Sequence, residues 1–316
     1  MTTIGAAFVE HRRGVFGTLS DLFWRRPNLL LLVLLAPPLL WLGIIYVGSL
    51  LALLLQSFYA IDEFSGLVDY GTLTLKTYGE LFRPANFDII VRTIAMAASV
   101  TLASAIIAFP IAYMAARFVR GKWKAMFYLA VMLPLWSSYL VKIYAWKLIL
   151  AREGILNWGF AQLNLTWLLD AFLTLPVLGG NSLSVSNTGT FIVFLYVWMP
   201  FMILPTQAAL ERVPINLTDA SADLGATPWQ TFRHVIFPLA LPGIIAGSIF
   251  TFSLTLGDYI IPQIIGSSRL FIGQAVYAQQ GTAGNVPLAA AFSIVPIVIM
   301  GFYLWAAKRQ GAFDAL

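Results

Sequence analysis

Six long apolar segments dominate the sequence and limit what the chain can fold into. Their approximate bounds are residues 28–56, 89–116, 125–150, 190–210, 239–264 and 288–307. A helix needs about 20 apolar residues to cross the hydrocarbon core of a bilayer, and each segment reaches that length. Only 10% of the 316 residues are charged and 59% are hydrophobic, whereas about 25% are charged in an ordinary soluble domain. The sequence therefore predicts an all-α polytopic membrane protein with six transmembrane helices.

Positive charge is distributed unequally among the connecting segments. Lys and Arg are concentrated before the first apolar segment, after the second and fourth, and after the last: Arg12, Arg13, Arg25, Arg26, Arg117, Arg120, Lys122, Lys124, Arg212, Arg233, Lys308 and Arg309. The alternate loops contain fewer: Lys76, Arg83, Arg152 and Arg269. The positive-inside rule predicts that both termini and the loop that contains Asp219 are cytoplasmic.

This charge pattern also predicts how the chain is divided. We expect a cytoplasmic tail over residues 1–27, a six-helix transmembrane domain over 28–307 and a second cytoplasmic tail over 308–316. The first tail is too long and too polar for the n-region of a cleavable signal peptide.

The sequence lacks the residues for several kinds of site. It has no Cys and two His, which excludes thiolate and histidine-rich metal sites. It has no G-x-x-x-x-G-K-[ST] phosphate-binding loop, so any ATP must be bound by another chain. An intramembrane enzyme would need a nucleophile–base or metal constellation, and none is visible. We therefore expect no catalytic residue, no metal, no cofactor on this chain and no nucleic-acid partner.

A polar loop over about residues 211–238 separates the fourth and fifth apolar segments. Asn216 is placed to cap a short helix that carries Asp219 and Asp223 on one face. Gly225 then lies where such a helix needs a left-handed residue, and Thr227 begins a capping box for a second short helix. The pattern predicts two short helices joined at a glycine, which fits either a rigid docking element or a simple connector.

This loop resembles the EAA loop of binding-protein-dependent ABC importer permeases, whose pattern is E-A-A-x3-G-x9-I-x-L-P. The residues concerned are Asp219, Ala220, Ser221, Asp223, Gly225, Val235 and Pro238. Asp replaces the Glu of the pattern, Ser the second Ala, and Val235 and Phe237 the Ile and the Leu. In that family the loop docks on the ATPase subunit, so the resemblance implies that these residues couple the chain to an ATPase.

Three other stretches resemble permeases of the spermidine/putrescine branch, at residues 133–146, 154–157 and 256–262. The resemblance covers the chain from about Leu29 onward and implies the type I importer permease fold in a bacterial inner membrane. It implies two ATPase subunits that bind ATP and magnesium, a second and often different permease chain, and a periplasmic substrate-binding protein.

The same branch favours a polyamine as the solute. Other solutes stay open, namely another amine, an opine-like compound, ferric iron or an oxyanion. A stand-alone channel or ion-driven carrier is a further alternative, although it would leave the structured loop without a role.

Asp258 is expected in the outer half of the fifth apolar segment. A carboxylate there costs about 2.5–3.5 kcal/mol on insertion scales, so it should face the bundle interior or a water-filled path. It either attracts a cationic solute or pairs with Lys142, Lys147 or Arg92, and the two lysines can instead snorkel to the headgroups. Candidate solute-path residues are Asp258, Tyr259, Tyr139, Tyr144, Trp146 and Lys142. The aromatic members either contact ammonium groups or belong to the interface belt.

Overall fold

A computed structural model describes Trp24, residues 26–62 and residues 64–309. Most of the expected tails, residues 1–27 and 308–316, lies outside this part of the chain. The described chain divides after Leu55 into two units.

From Pro27 onward, the described part of the first unit is one apolar helix, α1. It runs as an α-helix over Pro27–Leu40, as a π-helix over Trp41–Val47 and again as an α-helix over Gly48–Gln56. No described side chain of α1 is buried. Its length and composition allow a membrane span over Asn28–Gln56, as the sequence predicts.

The second unit, from Gln56 onward, is a helical bundle with one small hairpin. Its elements in chain order are β1 Ala60–Ile61, β2 Val68–Asp69, α2 Lys76–Leu81, α3 Pro84–Arg117, α4 Lys122–Trp136, α5 Tyr139–Ile149, α6 Ile155–Gln162, α7 Thr166–Leu173, α8 Asn187–Arg212, α9 Ile215–Asp223, α10 Pro228–Gly257, α11 Ile260–Ile264, α12 Ile272–Gln280 and α13 Val286–Arg309. The strands pair antiparallel, with Ala60 opposite Asp69. A 3₁₀ turn at Leu183–Val185 precedes α8.

Five helices of the described chain are long and apolar enough to cross a membrane, namely α1, α3, α8, α10 and α13. The expected third span, residues 125–150, is wrong as a single helix, because α4 and α5 meet at 93°. Ser137 (φ −75°, ψ 149°) and Ser138 (φ −56°, ψ 130°) are non-helical at the break. The Pro134 carbonyl there accepts hydrogen bonds from Ser137 Oγ at 2.9 Å and from Lys142 Nζ at 2.6 Å. These side chains compensate a backbone acceptor that the interrupted helix leaves exposed.

The predicted bounds of the fifth span are wrong at both ends, since the sequence predicts residues 239–264 and α10 covers Pro228–Gly257. It starts early because Thr227 and Pro228 form a strong N-terminal cap. It stops at Gly257 because Asp258 has an extended backbone with ψ of 132°. Asp258 therefore lies just beyond the long helix.

The centre of the second unit is α8, which packs along both α3 and α10. Its core includes Val193, Phe194 and Val197. Helices α8 and α10 approach closely because Gly243 has no side chain: a Cβ there would lie 2.4 Å from Ala209 Cβ and 2.5 Å from the Pro205 carbonyl oxygen. Small residues four apart are a known means of close helix packing in membranes, and Gly247 completes that spacing.

Candidate functional site

The polar loop begins with helix α9. Asn216 does not cap it, so that prediction is wrong: Pro214 occupies the N-cap position and Asn216 is the second helical residue. Proline fixes φ near −65° and here stands at φ −63° and ψ 135°, so the helix can begin directly after it. The exposed face of α9 presents Asp219, Ala220 and Asp223 to solvent, while Ser221 is half-buried.

Helix α9 ends in a glycine cap. Gly225 has φ +81°, the left-handed conformation that the sequence predicts for this position. The N–H of Gly225 donates to the Ala222 carbonyl at 2.9 Å, and that of Ala226 to the Ser221 carbonyl at 3.1 Å. These two bonds form a Schellman motif, which fixes the direction in which the chain leaves the helix.

The predicted capping box after Gly225 is confirmed. The N–H of Thr227 donates to Gln230 Oε1 at 2.8 Å, and the N–H of Gln230 donates to Thr227 Oγ1 at 3.4 Å. The sequence predicts a separate short helix after this box, and that prediction is wrong. The box instead opens the first turn of α10, which continues through a π-helical stretch at Phe232–Ile236. The hydroxyls of Ser221 and Thr231 hydrogen-bond at 2.9 Å and join α9 to α10.

Aromatic contacts hold the base of this loop against α3. The Phe109 ring meets the Phe232 ring edge-on at 5.5 Å and the Phe237 ring at 6.4 Å. Trp229 stacks on Phe232 at 5.2 Å. Val235 is half-buried and Pro238 is exposed. At the tip, Leu224 is 89% exposed. The loop is thus a rigid elbow with a polar and apolar outer surface.

Asp258 lies at the far end of α10 and uses both carboxylate oxygens. Oδ1 accepts from the N–H groups of Ile260 at 2.7 Å and Ile261 at 3.0 Å, which starts α11. Oδ2 accepts from the Tyr139 hydroxyl. The Tyr139 ring stacks on Trp198 with centroids 5.9 Å apart. This arrangement ties the first residue of α5 to the end of α10.

Two of the three expected cations, Lys142 and Arg92, contact other groups, and the third, Lys147, is exposed. Lys142 donates to the Pro134 carbonyl, and Arg92 pairs with Asp88 and donates to the Leu270 carbonyl. Within the described residues Asp258 forms no ion pair with a lysine or arginine, so the ion-pair interpretation is wrong.

Of the aromatic candidates, the structure places only Tyr139 against Asp258 within the described chain. Tyr259 stacks on Tyr277 at 5.3 Å, Trp146 packs on Tyr196 at 5.1 Å, and Tyr144 is exposed.

A polar cluster of four residues lies where α8 enters the loop. Glu211 Oε1 accepts from Lys124 Nζ at 2.9 Å, from Tyr128 Oη at 3.0 Å and from Gln207 Nε2 at 3.0 Å. We call Lys124, Tyr128, Gln207 and Glu211 the Glu211 cluster. The described residues contain no group of three or more His, Asp or Glu that could hold a metal ion.

Residues 108–310 match the family described as "Binding-protein-dependent transport system inner membrane component". The chain belongs to this family. It is 60% identical over 300 residues to the inner membrane ABC transporter permease protein YdcU of Escherichia coli (strain K12), which covers 95% of this chain and 96% of that protein. It is 30% identical over 240 residues to the spermidine/putrescine transport system permease protein PotB of the same organism, covering 75% of this chain and 83% of PotB.

Solved structures show the same fold. A bacterial alginate ABC transporter in complex with an alginate pentasaccharide-bound periplasmic protein matches 93% of this chain and 96% of its own, with TM-score 0.69 and 16% identity. The expected fold class and function class are confirmed: the chain is a permease subunit of an ABC importer and a multi-pass inner membrane protein.

The Glu211 cluster is not predictable from the sequence of the permease alone. One signal was present, because Gln207 and Glu211, and likewise Lys124 and Tyr128, are four residues apart and so share a helix face. The pairing between the two helices was not readable, since Tyr128 and Glu211 are separated by 83 residues.

Proposed function

We propose that this permease imports polyamines and that the 211–238 loop docks on a separate ATPase. The observation that carries the solute class is the likeness to PotB, a spermidine/putrescine permease, over three-quarters of the chain. The rigid elbow of α9 and α10 supports the docking role, because a fixed knob transmits a displacement that a flexible linker would absorb. The proposed partners are two ATPase subunits that bind ATP and magnesium, a second permease chain and a periplasmic solute-binding protein.

The chemistry of the loop suits contact with another protein. Asp219 and Asp223 project from the exposed face of α9 and offer acceptors to basic groups of a partner. Leu224 and Trp229 are exposed apolar side chains on either side of Gly225, and buried aromatic anchors dominate many protein interfaces. The proposed docking surface is therefore an apolar tip with an acidic flank.

The proposed solute contact is Asp258 with Tyr139. In the structure Asp258 Oδ2 has the Tyr139 hydroxyl as its partner, while Oδ1 is held by backbone N–H groups. An ammonium group of a polyamine can replace the hydroxyl at Oδ2, since it brings a full positive charge to the carboxylate whereas the hydroxyl is neutral. Oδ1 would keep α11 in place during this exchange.

Uptake by the reconstituted complex tests this proposal. With the ATPase, the second permease and the binding protein in liposomes, we expect saturable, ATP-dependent uptake of labelled putrescine and spermidine. Asp258→Asn retains an oxygen for the two backbone donors but loses the charge. The polyamine concentration at half-maximal uptake should therefore rise about tenfold. Tyr139→Phe, which leaves the charge in place, should change it far less.

Each component of the proposal has its own contrary result. ATP hydrolysis stimulated by the binding protein without polyamine uptake would discard the solute and keep the importer. Uptake that proceeds without the ATPase would discard the docking role. Unchanged half-saturation in Asp258→Asn would remove that carboxylate from the solute path.

A further inference from the structure

Helix α4 is held loosely compared with the helix that follows it. No residue of α4 is buried; Phe127 and Val131 only partly cover the apolar cluster around Met202. In α5, by contrast, Ile143 is fully buried, and it packs in the central core. The two halves of the bent pair therefore differ in that α5 has a buried side chain in the core and α4 has none, and elements with few buried apolar contacts are the ones that move at low free-energy cost.

The base of α4 is attached to the helix that leads into the 211–238 loop. Lys124 and Tyr128 both reach Glu211, which stands one residue before the end of α8 and four before the start of α9. Gln207 is fully buried and donates to the same carboxylate oxygen, which holds the Glu211 side chain in place. Glu211 thus joins the base of α4 to the end of α8 that leads into α9.

The opposite end of α4 has a built-in break. Ser137 and Ser138 are non-helical, and the helix direction changes there by 93°. Beyond the break, Tyr139 is tied to Asp258 at the end of α10. Helix α4 is therefore fixed at one end to the helix that enters the loop and jointed at the other to a helix that is tied to α10, the helix that leaves the loop.

We propose that α4 is a second coupling element, which the Glu211 cluster attaches to the base of the loop and which turns about Ser137 and Ser138 when the loop moves. Lys124, Tyr128 and Glu211 are its positioning residues. This rests on the proposed docking of the loop on an ATPase. The Lys124–Glu211 pair suits a contact that adjusts during a cycle, because both side chains are partly exposed, 37% and 27%, and such pairs contribute little to stability.

A matched pair of lysine variants provides the first test. Lys124→Met removes the contact with Glu211, whereas Lys122→Met removes an exposed lysine of the same helix that forms no ion pair within the described residues. In the full complex we expect Lys124→Met to lower solute transported per ATP hydrolysed about threefold, and Lys122→Met to leave it unchanged. The charge-reversed double variant Lys124→Glu with Glu211→Lys should recover part of the loss. Thermal unfolding should be alike in both lysine variants.

A distance measurement tests the movement itself. The chain has no cysteine, so Met126→Cys on α4 and Val141→Cys on α5, both at exposed positions, can be spin-labelled without background from other positions of this chain before the complex is assembled. We expect trapping of the complex with ATP to change the distance between the labels, and Lys124→Met to reduce that change, because Tyr128 still contacts Glu211 in this variant. If the distance between the labels changes equally in Lys124→Met and Lys122→Met, the inference is overturned and the proposed function is not affected. The same holds if the two variants transport equal amounts of solute per ATP hydrolysed. A wild-type complex without ATP-dependent uptake would overturn the proposed function, and this inference with it.

Discussion

At the scale of single residues, the backbone conformation of Gly225 most clearly restricts which side chain can occupy its position. Its φ of +81° lies in the region that costs an L-residue about 1–2 kcal/mol. No atom lies within 4 Å of the position a Cβ would take, so the cost of a substitution is that of the backbone alone.

Two replacements at Gly225 therefore have different expected outcomes. Gly225→Val should disturb the elbow and lower solute transported per ATP, because β-branched residues tolerate a positive φ poorly. Gly225→Asn should keep most of the coupling, because Asn is several-fold enriched in that region. Uptake and ATP hydrolysis measured on the same proteoliposomes give the ratio. Wild-type coupling in Gly225→Val would contradict the proposed rigidity of the loop.

The sequence predicts some of these residue roles and not others. Gly225 and Thr227 are predictable because capping depends on neighbours within a few positions, so the signal is local. The partner of Asp258 is Tyr139, 119 residues away in sequence. A side-chain contact at that separation depends on how the helices pack, and a single sequence does not contain this information.

At the scale of elements, the cap of α10 is a local stabilising feature. Thr227→Ala removes the Thr227 Oγ1 acceptor of the Gln230 N–H and should destabilise the first turn of α10 by about 1 kcal/mol, whereas Thr227→Ser keeps the acceptor. Hydrogen exchange of the amides of that turn measures the difference. Equal exchange in the two variants would mean that the cap adds nothing to what the aromatic contacts already fix.

The crossing of α8 and α10 gives a second prediction at this scale. Gly243→Ala places a methyl group 2.4 Å from Ala209 Cβ and should cost about 1–3 kcal/mol of stability through overpacking. Gly257→Ala, at the end of the same helix, meets nothing within 4 Å and should be neutral or slightly stabilising. Thermal unfolding in detergent compares the two. If Gly243→Ala unfolds at the same temperature as the wild type, the close packing of α8 on α10 does not require glycine at this position.

The apolar segments predict which parts of the chain are helical but not where helices break. Residues 125–150 are apolar throughout most of their length, and proline is common in membrane helices, so Pro134 alone gave no reason to divide them. The break depends on Ser137 and Lys142 reaching the Pro134 carbonyl. Likewise, the end of α10 depends on Asp258 binding backbone donors of the next helix.

At the scale of the whole molecule, the orientation in the membrane that the lysine and arginine distribution predicts has a direct test. The chain has no cysteine, so Leu224→Cys at the loop tip and Phe64→Cys near the β-hairpin, both strongly exposed, can be labelled separately. A membrane-impermeant maleimide should label Phe64→Cys from outside and Leu224→Cys only after permeabilisation. The reverse order of labelling would contradict the positive-inside prediction.

The fold class was accessible from the sequence because lipid leaves few choices. Every backbone polar group in the hydrocarbon core needs an internal partner, so apolar segments of this length become helices. The arrangement of those helices around α8 depends on close contacts such as Gly243 with Pro205, which composition does not reveal.

Because α10 is continuous, the lengths of the helix on the two sides of its crossing with α8 determine how far each end moves. The helix runs from the loop to the residue before Asp258 and crosses α8 around Gly243 and Gly247. At 1.5 Å per residue, about 25 Å separate its start from the middle of that crossing, and about 18 Å separate the crossing from its end. If α10 rocks about the crossing, a displacement of the loop reaches the Asp258 end reversed in direction and reduced to about seven-tenths. The end of α10 where the solute is proposed to bind then moves less than the loop but can exert a larger force.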